Sequence, residues 1–246
     1  MKEQNIDKCK IDSLSLATLL GRVVLKGRIE ECVVISKDGR ASVQAIDLTN
    51  SVFVSCSRKI EGLPDMKIGM SKLSIVTKCL SLGGDVLISI KDNKLTLKRE
   101  GLGLIKLLLL DPAQIATSVK EEDAEKKICA TQKVEFSIDN SVVEKFQTYN
   151  GLVSSDSTIV SVKNGQVTFH SRKTSEAQFS IVVATIKDEA AEMSTEVYTA
   201  YLMEVLSVLE FPKGKSCTIG LSDKGPILIK QAHQGTSLWA LTPIAE

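Results

Sequence analysis

Apolar residues recur at helical spacing in four stretches and alternate with polar residues through much of the rest of the chain. Residues Ile11–Ile29 read as a helix, with Leu16, Leu19, Leu20 and Val23 on one side, Ser13 as cap and Gly27 as stop. Gly69–Leu82 reads as a second helix, ended by Gly83-Gly84. Asp139–Asn150 is a third, capped by Asp139 or Asn140, and Glu196–Glu210 a fourth. Between them lie β-type runs: Cys32–Ile35, Ala41–Leu48, Ser51–Ser57, Thr158–Val162, Gln166–Ser171 and Ala177–Ile186. Asp38-Gly39 and Asn164-Gly165 are two-residue hairpin signals. Val86, Ile88 and Ile90 alternate up to the turn at Asp92-Asn93, and Leu95 and Leu97 alternate after it. Cys217, Ile219 and Leu221 do the same before Ser222-Asp223-Lys224-Gly225, and Ile227 and Ile229 after it. Leu102–Leu110 and Ser237–Leu241 are the closing strands of the two halves.

The order is the same twice: helix, strands, helix, hairpin, final strand. The first hairpin turns, Asp38 and Asn164, are 126 residues apart (164 − 38), and the second, Asp92 and Asp223, are 131 apart (223 − 92). A near-constant offset points to an internal duplication and an α+β chain of two similar domains. Leu107–Lys133 lies between them. Its apolar run stops at Asp111-Pro112, since proline offers no N–H to a ladder, and it ends in a charged cluster typical of a solvated surface segment. The expected boundaries are 1–111, a connector over 112–132, and 133–246.

Composition narrows the function. Of 246 residues 43% are hydrophobic and 25% charged, which suits a packed core. The polar start and the lack of a bilayer-length apolar run predict an intracellular protein with no membrane partner. The six cysteines form no C-x-x-C pair, so buried free thiols are expected and a metal is not. There is no phosphate-cradling glycine motif, no nucleophile motif around His170 or His233, and no carboxylate set with metal-ligand spacing. Neither an enzyme nor a cofactor is expected. The net charge of +1 is too small for bulk electrostatic capture of nucleic acid.

Four stretches carry a family resemblance: Val43-Gln44-Ala45-Ile46-Asp47; Ile68–Leu80 with Lys78-Cys79; the apolar strand closed by Asp111 and its charged segment; and Asp223–Ile229 with the tail from Gly235 through Leu241-Thr242-Pro243-Ile244-Ala245-Glu246. Together they resemble the sliding clamps of the proliferating cell nuclear antigen (PCNA) type, collinearly from about Ser13 to Glu246. The resemblance implies the DNA-clamp fold: a homotrimeric ring with helices lining the hole and antiparallel sheets outside. Duplex DNA would pass through the hole without sequence preference. DNA polymerase, a clamp loader and peptide motifs of replication and repair proteins would dock on the ring. A near-neutral charge suits a ring that is held by topology and must slide. The residues expected to touch DNA are Arg22, Lys26, Lys72, Lys78 and Lys145; the fourth helix departs from the family by carrying no Lys or Arg. A partner groove between the domains is expected from Ile46, Ile115, Val119, Leu241, Pro243 and Ile244. Leu104, Lys106 and Leu108 of one edge and Gln178, Ser180 and Val182 of another are expected to pair between subunits. The location implied is the cytoplasm of a prokaryote or phage-infected cell, or a nucleus. The competing readings are a clamp-like scaffold for repair, checkpoint or transcription coupling, and an enzyme on a duplicated α+β fold.

Overall fold

The computed structural model describes residues 6–101, 103–115, 131–172, 177–222, 225–233, 236–242 and 244–245. The described elements repeat the order β-α-ββββ-α-βββ twice. The first repeat is β1 (Ile6–Asp12), α1 (Ser13–Val24), β2 (Glu31–Lys37), β3 (Arg40–Ile46), β4 (Phe53–Lys59), β5 (Met66–Ser71), α2 (Leu73–Leu80), β6 (Asp85–Lys91), β7 (Lys94–Arg99) and β8 (Gly103–Leu108). The second is β9 (Val134–Asp139), α3 (Asn140–Val153), β10 (Ser157–Lys163), β11 (Gln166–Ser171), β12 (Ser180–Thr185), β13 (Met193–Tyr198), α4 (Thr199–Ser207), β14 (Ser216–Leu221), β15 (Ile227–His233) and β16 (Thr236–Thr242). Strand neighbours repeat too. The order β1-β6-β7-β8 recurs as β9-β14-β15-β16, and β5-β2-β3-β4 as β13-β10-β11-β12. The duplication is therefore present in connectivity and in pairing alike.

The chain forms two compact units, Met1–Ser118 with Ala232–Leu238, and Val119–Gln231 with Trp239–Glu246. The division after Ser118 falls inside the expected connector, most of which lies outside the described residues.

Both long helices start on an aspartate. Asp12 accepts from the N–H groups of Leu14 (3.3 Å) and Ser15 (3.1 Å), and Asp139 accepts from that of Val142 (3.1 Å). These satisfy donors that a first helical turn leaves unpaired. The caps are 127 residues apart (139 − 12). Ser13 is thus the first helical residue and not the cap. α1 ends at Val24, earlier than its periodicity suggests, because Leu25 and Lys26 adopt left-handed φ of 44° and 57°.

The two shorter helices start later than expected. Met66–Ser71 pairs antiparallel with β2, and Met193–Tyr198 with β10, so each strand runs straight into its helix. α2 has no side-chain cap of its own. The carboxylate of Glu30 instead accepts from the N–H and the hydroxyl of Ser74. β1 and β9 are strands that the sequence reading leaves unassigned. β1 carries a register shift between Ile6 and Cys9, which breaks its period-two pattern.

In the first unit α1 packs on α2, with the Cα of Gly21 close enough to Thr77 that an added Cβ would lie 3.7 Å from its methyl. Leu16, Leu19, Leu20, Val23, Leu73, Val76 and Leu80 are buried beneath the pair. In the second unit Phe146 of α3 meets Phe169 and Phe179 edge-on, at 5.4 and 5.9 Å between centroids. Such contacts add to plain burial and fix how a helix sits on its sheet.

Candidate functional site

Three surfaces concern function: the outward faces of the helices, the open strand edges, and the turn after β3 with the tail.

The helix surface is poor in charge. Within α1, α2 and α3 the cationic residues are Arg22, Lys78 and Lys145, and α4 has none. Lys78 and Lys145 are exposed, as are Lys72 before α2 and Lys26 in the turn after α1. Arg22 corrects the sequence reading, since it is only 4% exposed. Helical spacing does turn it away from the leucines beneath α1, but its side chain is enclosed all the same, so it is no contact for a phosphate. Lys26 shares no helix face with it, because the helix has ended. What the helices show to solvent is largely neutral: Leu14, Ile75, Tyr149 and Leu152 are exposed, with Thr18 and Gly21 half-buried.

β8 and β12 stand at the ends of their four-stranded sheets. The N–H of Leu109 donates to the carbonyl of Asn93 (2.9 Å), and β7 pairs Lys94 with Leu108. Antiparallel ladders alternate, so Leu104, Lys106 and Leu108 turn their main-chain groups away from β7. On the other edge, the N–H of Ser171 donates to the carbonyl of Phe179 (3.1 Å), and β11 pairs His170 with Ser180. Ser180 and Val182 therefore point their main-chain groups away from β11. Leu104 (51%), Leu108 (63%) and Val182 (59%) are exposed apolar side chains, and Lys106, Gln178 and Ser180 are exposed beside them. Unpaired apolar edges of this kind are a liability unless something covers them. The repeat shows what cover would look like. β4, the counterpart of β12, is hydrogen-bonded to β16, the counterpart of β8. There Ser57 and Ser237, both in the first unit, share a hydroxyl hydrogen bond of 2.8 Å.

After β3 the buried carboxylate of Asp47 holds a tight turn. It accepts from the N–H groups of Ser51 (2.6 Å) and Val52 (2.8 Å) and from the hydroxyl of Thr49 (2.5 Å). The turn lifts Leu48 into solvent, 95% exposed, beside half-buried Ile46. Leu48 was not among the residues expected from sequence. The available signal is one leucine inside the polar run Asp47-Leu48-Thr49-Asn50-Ser51. Ile115 corrects the expectation of a partner contact. It is 7% exposed and lies against Gly69, where an added Cβ would come within 2.8 Å of it. It pins the chain to the first unit. Val119 and Pro243 lie outside the described residues. In the second unit Ile244 bridges Val197, and the N–H of Ala245 donates to the carbonyl of Glu196 (2.8 Å). The tail thus extends β13 and leaves Ile244 38% exposed and Leu241 half-buried.

Among the described residues no three His, Cys, Asp or Glu side chains come together as a metal site would require. No protein-family model and no curated protein matches the sequence. Solved structures do match. A. fulgidus PCNA with the C-terminal region of FEN-1 bound aligns over 98% of this chain and 99% of its own, with a TM-score of 0.75 at 15% identity.

The chain has the PCNA fold.

PCNA from Entamoeba histolytica aligns over 97% of this chain and 98% of its own, at TM-score 0.69 and 12% identity. A chain of the PCNA2–PCNA3 complex of Sulfolobus tokodaii aligns over 97% and 99%, at 0.68 and 13%. Alignment of both chains nearly end to end means that the whole duplicated PCNA architecture is present here, not one half of it. At such identities the likeness is one of fold, and the surfaces described above carry any functional argument.

Proposed function

We propose that this protein is a sliding clamp, closing into a ring around duplex DNA and tethering DNA polymerase and other DNA-processing proteins. One observation carries the reading. The repeat pairs β4 with β16 and leaves the equivalent strands β12 and β8 bare on the same chain, each with exposed apolar residues. Two complementary open edges on one molecule make a head-to-tail contact, which closes into a ring when the rotation per copy fits. Three copies are what the PCNA resemblance implies for a two-unit chain.

Lys26, Lys72, Lys78 and Lys145 are the residues proposed to touch phosphates, with Arg22 withdrawn from the set. So few cations suit sliding, because each phosphate contact adds affinity and salt dependence alike. Ile46 and Leu48 on the first unit, and Leu241 and Ile244 on the second, are proposed to hold apolar plugs of partner peptides. A clamp loader is the proposed agent of ring opening.

The test is processivity. Primer extension by the cognate polymerase, with loader and this protein on a singly primed circle, is expected to give products many times longer than without it. Product lengths that do not change would remove the replication role and leave a scaffold for repair, checkpoint or transcription coupling.

A further inference from the structure

We propose that Leu152 of one copy seats in an apolar recess on the next copy, between the end of α2 and the edge of β8. This rests on the ring reading and adds to it a contact outside the strand ladder. The recess has a volume of about 180 Å³ and is lined by Cys79, Leu82, Val86, Leu97, Gly103 and Leu104 among others. Val86 and Leu97 are buried and form its floor, while Leu82 (69% exposed) and Leu104 (51%) stand at its rim. It has the volume of about six waters but an apolar wall, so water gains little there and a leucine side chain gains much.

The occupant follows from α3. Leu152 is 76% exposed near the end of that helix. One turn earlier, Tyr149 stacks on Phe179 with centroids 6.5 Å apart and an interplanar angle of 26°. Phe179 immediately precedes β12, so this end of α3 lies beside the open β12 edge. The repeat supplies an independent argument. Aligning the caps Asp12 and Asp139 places Leu152 at the position of Leu25, and Tyr149 at that of Arg22. Leu25 and Arg22 are 1% and 4% exposed. The position is covered in one repeat and bare in the other, beside a strand that is likewise paired in one and bare in the other. The recess adjoins β8 and the knob adjoins β12, so a second copy that joins those edges brings the two together.

The native thiol of Cys79 makes the seat testable. In the full-length protein, Leu152→Cys is expected to give covalent dimers and larger oligomers on mild oxidation, because a thiol in the recess meets the short Cβ separation a disulfide needs. Adding Cys79→Ser is expected to abolish them. Leu152→Ala is expected to raise the concentration at which the assembly dissociates about 10- to 100-fold. If the wild-type protein associates while L152C yields no Cys79-dependent cross-link and L152A dissociates at the wild-type concentration, the seat is wrong and the ring stands. A wild-type protein that stays monomeric at tens of micromolar overturns the ring, and the seat with it.

Discussion

Replacing Ser180 by proline separates the strength of the fold from that of the ring. The main-chain N–H of Ser180 points away from β11, so proline there removes no bond within its own sheet. Proline is tolerated on edge strands in that orientation. In the assembled ring the same N–H faces the β8 edge of a neighbour. Its loss costs about 0.5–1.5 kcal/mol for the bond, and about 1–3 kcal/mol more for the neighbour's carbonyl left buried without a donor. A total of about 2–4 kcal/mol corresponds to a dissociation constant raised about 30- to 1000-fold per contact. Circular dichroism is expected to show the wild-type fold, and light scattering over a dilution series a monomer at concentrations where the wild type is assembled. Ile181→Pro is the control. Its N–H turns toward Phe169 on β11, so that variant is expected to lose thermal stability as well. An S180P protein that assembles at the wild-type concentration would show that no ladder forms through this edge.

Reversing Lys78 and Lys145 to glutamate is expected to weaken DNA binding and flatten its dependence on salt, measured by fluorescence anisotropy from 50 to 200 mM salt, values on the order of those used for such slopes. An unchanged slope would mean these lysines do not meet phosphates. Leu48→Asp is expected to leave the melting temperature unchanged and to weaken binding of partner peptides by calorimetry. Truncation after Thr242 is expected to do the same; a cut before Leu241 would instead remove residues of β16 and damage the sheet. The carboxyls of Asp12 and Asp139 lie below the usual value of 3.8, each chiefly through a hydroxyl hydrogen bond, from Ser15 and Ser141 respectively. A depressed carboxylate stabilises the fold fully above pH 3.8 and loses that effect as pH falls through its folded value. Asp12→Ala and Asp139→Ala are each expected to cost about 1 kcal/mol at neutral pH, with the deficit vanishing in acid; a deficit that is constant with pH would rule out the caps as its source. Burial pushes the Cys217 thiol up to about 12 and raises that of Cys32 as well, so neither is expected to react with a thiol reagent at pH 8 until the protein unfolds.

The repeat was legible in the sequence because its signals are local. Asp38-Gly39 and Asn164-Gly165 turn as their residue types require, and each of the four helices lies within its periodic run. What was not legible depends on neighbours distant in sequence. Met66–Ser71 and Met193–Tyr198 carry apolar residues that also fit a helix, and only the ladders with β2 and β10 decide for strand. β1 hides behind its bulge. β9 does not hide, for Val134, Phe136 and Ile138 alternate cleanly, but it directly follows the charged segment and reads as part of it. The fate of Arg22 is a tertiary matter. A cation on the side of a helix opposite its leucines looks solvated until other elements enclose it. Ile115 shows the converse, an apolar residue in a polar segment that meets a glycine instead of a partner. The strand edges could be located from sequence, but the direction of their main-chain groups needed the registers of β7 with β8 and of β11 with β12.

Encirclement is the central claim, and topology tests it most directly. The protein is loaded onto a nicked circular duplex, the free protein is removed, and the bound fraction is followed by gel filtration before and after one restriction cut. A ring held by topology is expected to stay on the circle, leave promptly once the DNA is linear, and stay again when both ends are blocked by bulky complexes. Equal retention on circular and linear DNA would mean that the protein holds DNA by its surface, and would contradict the account.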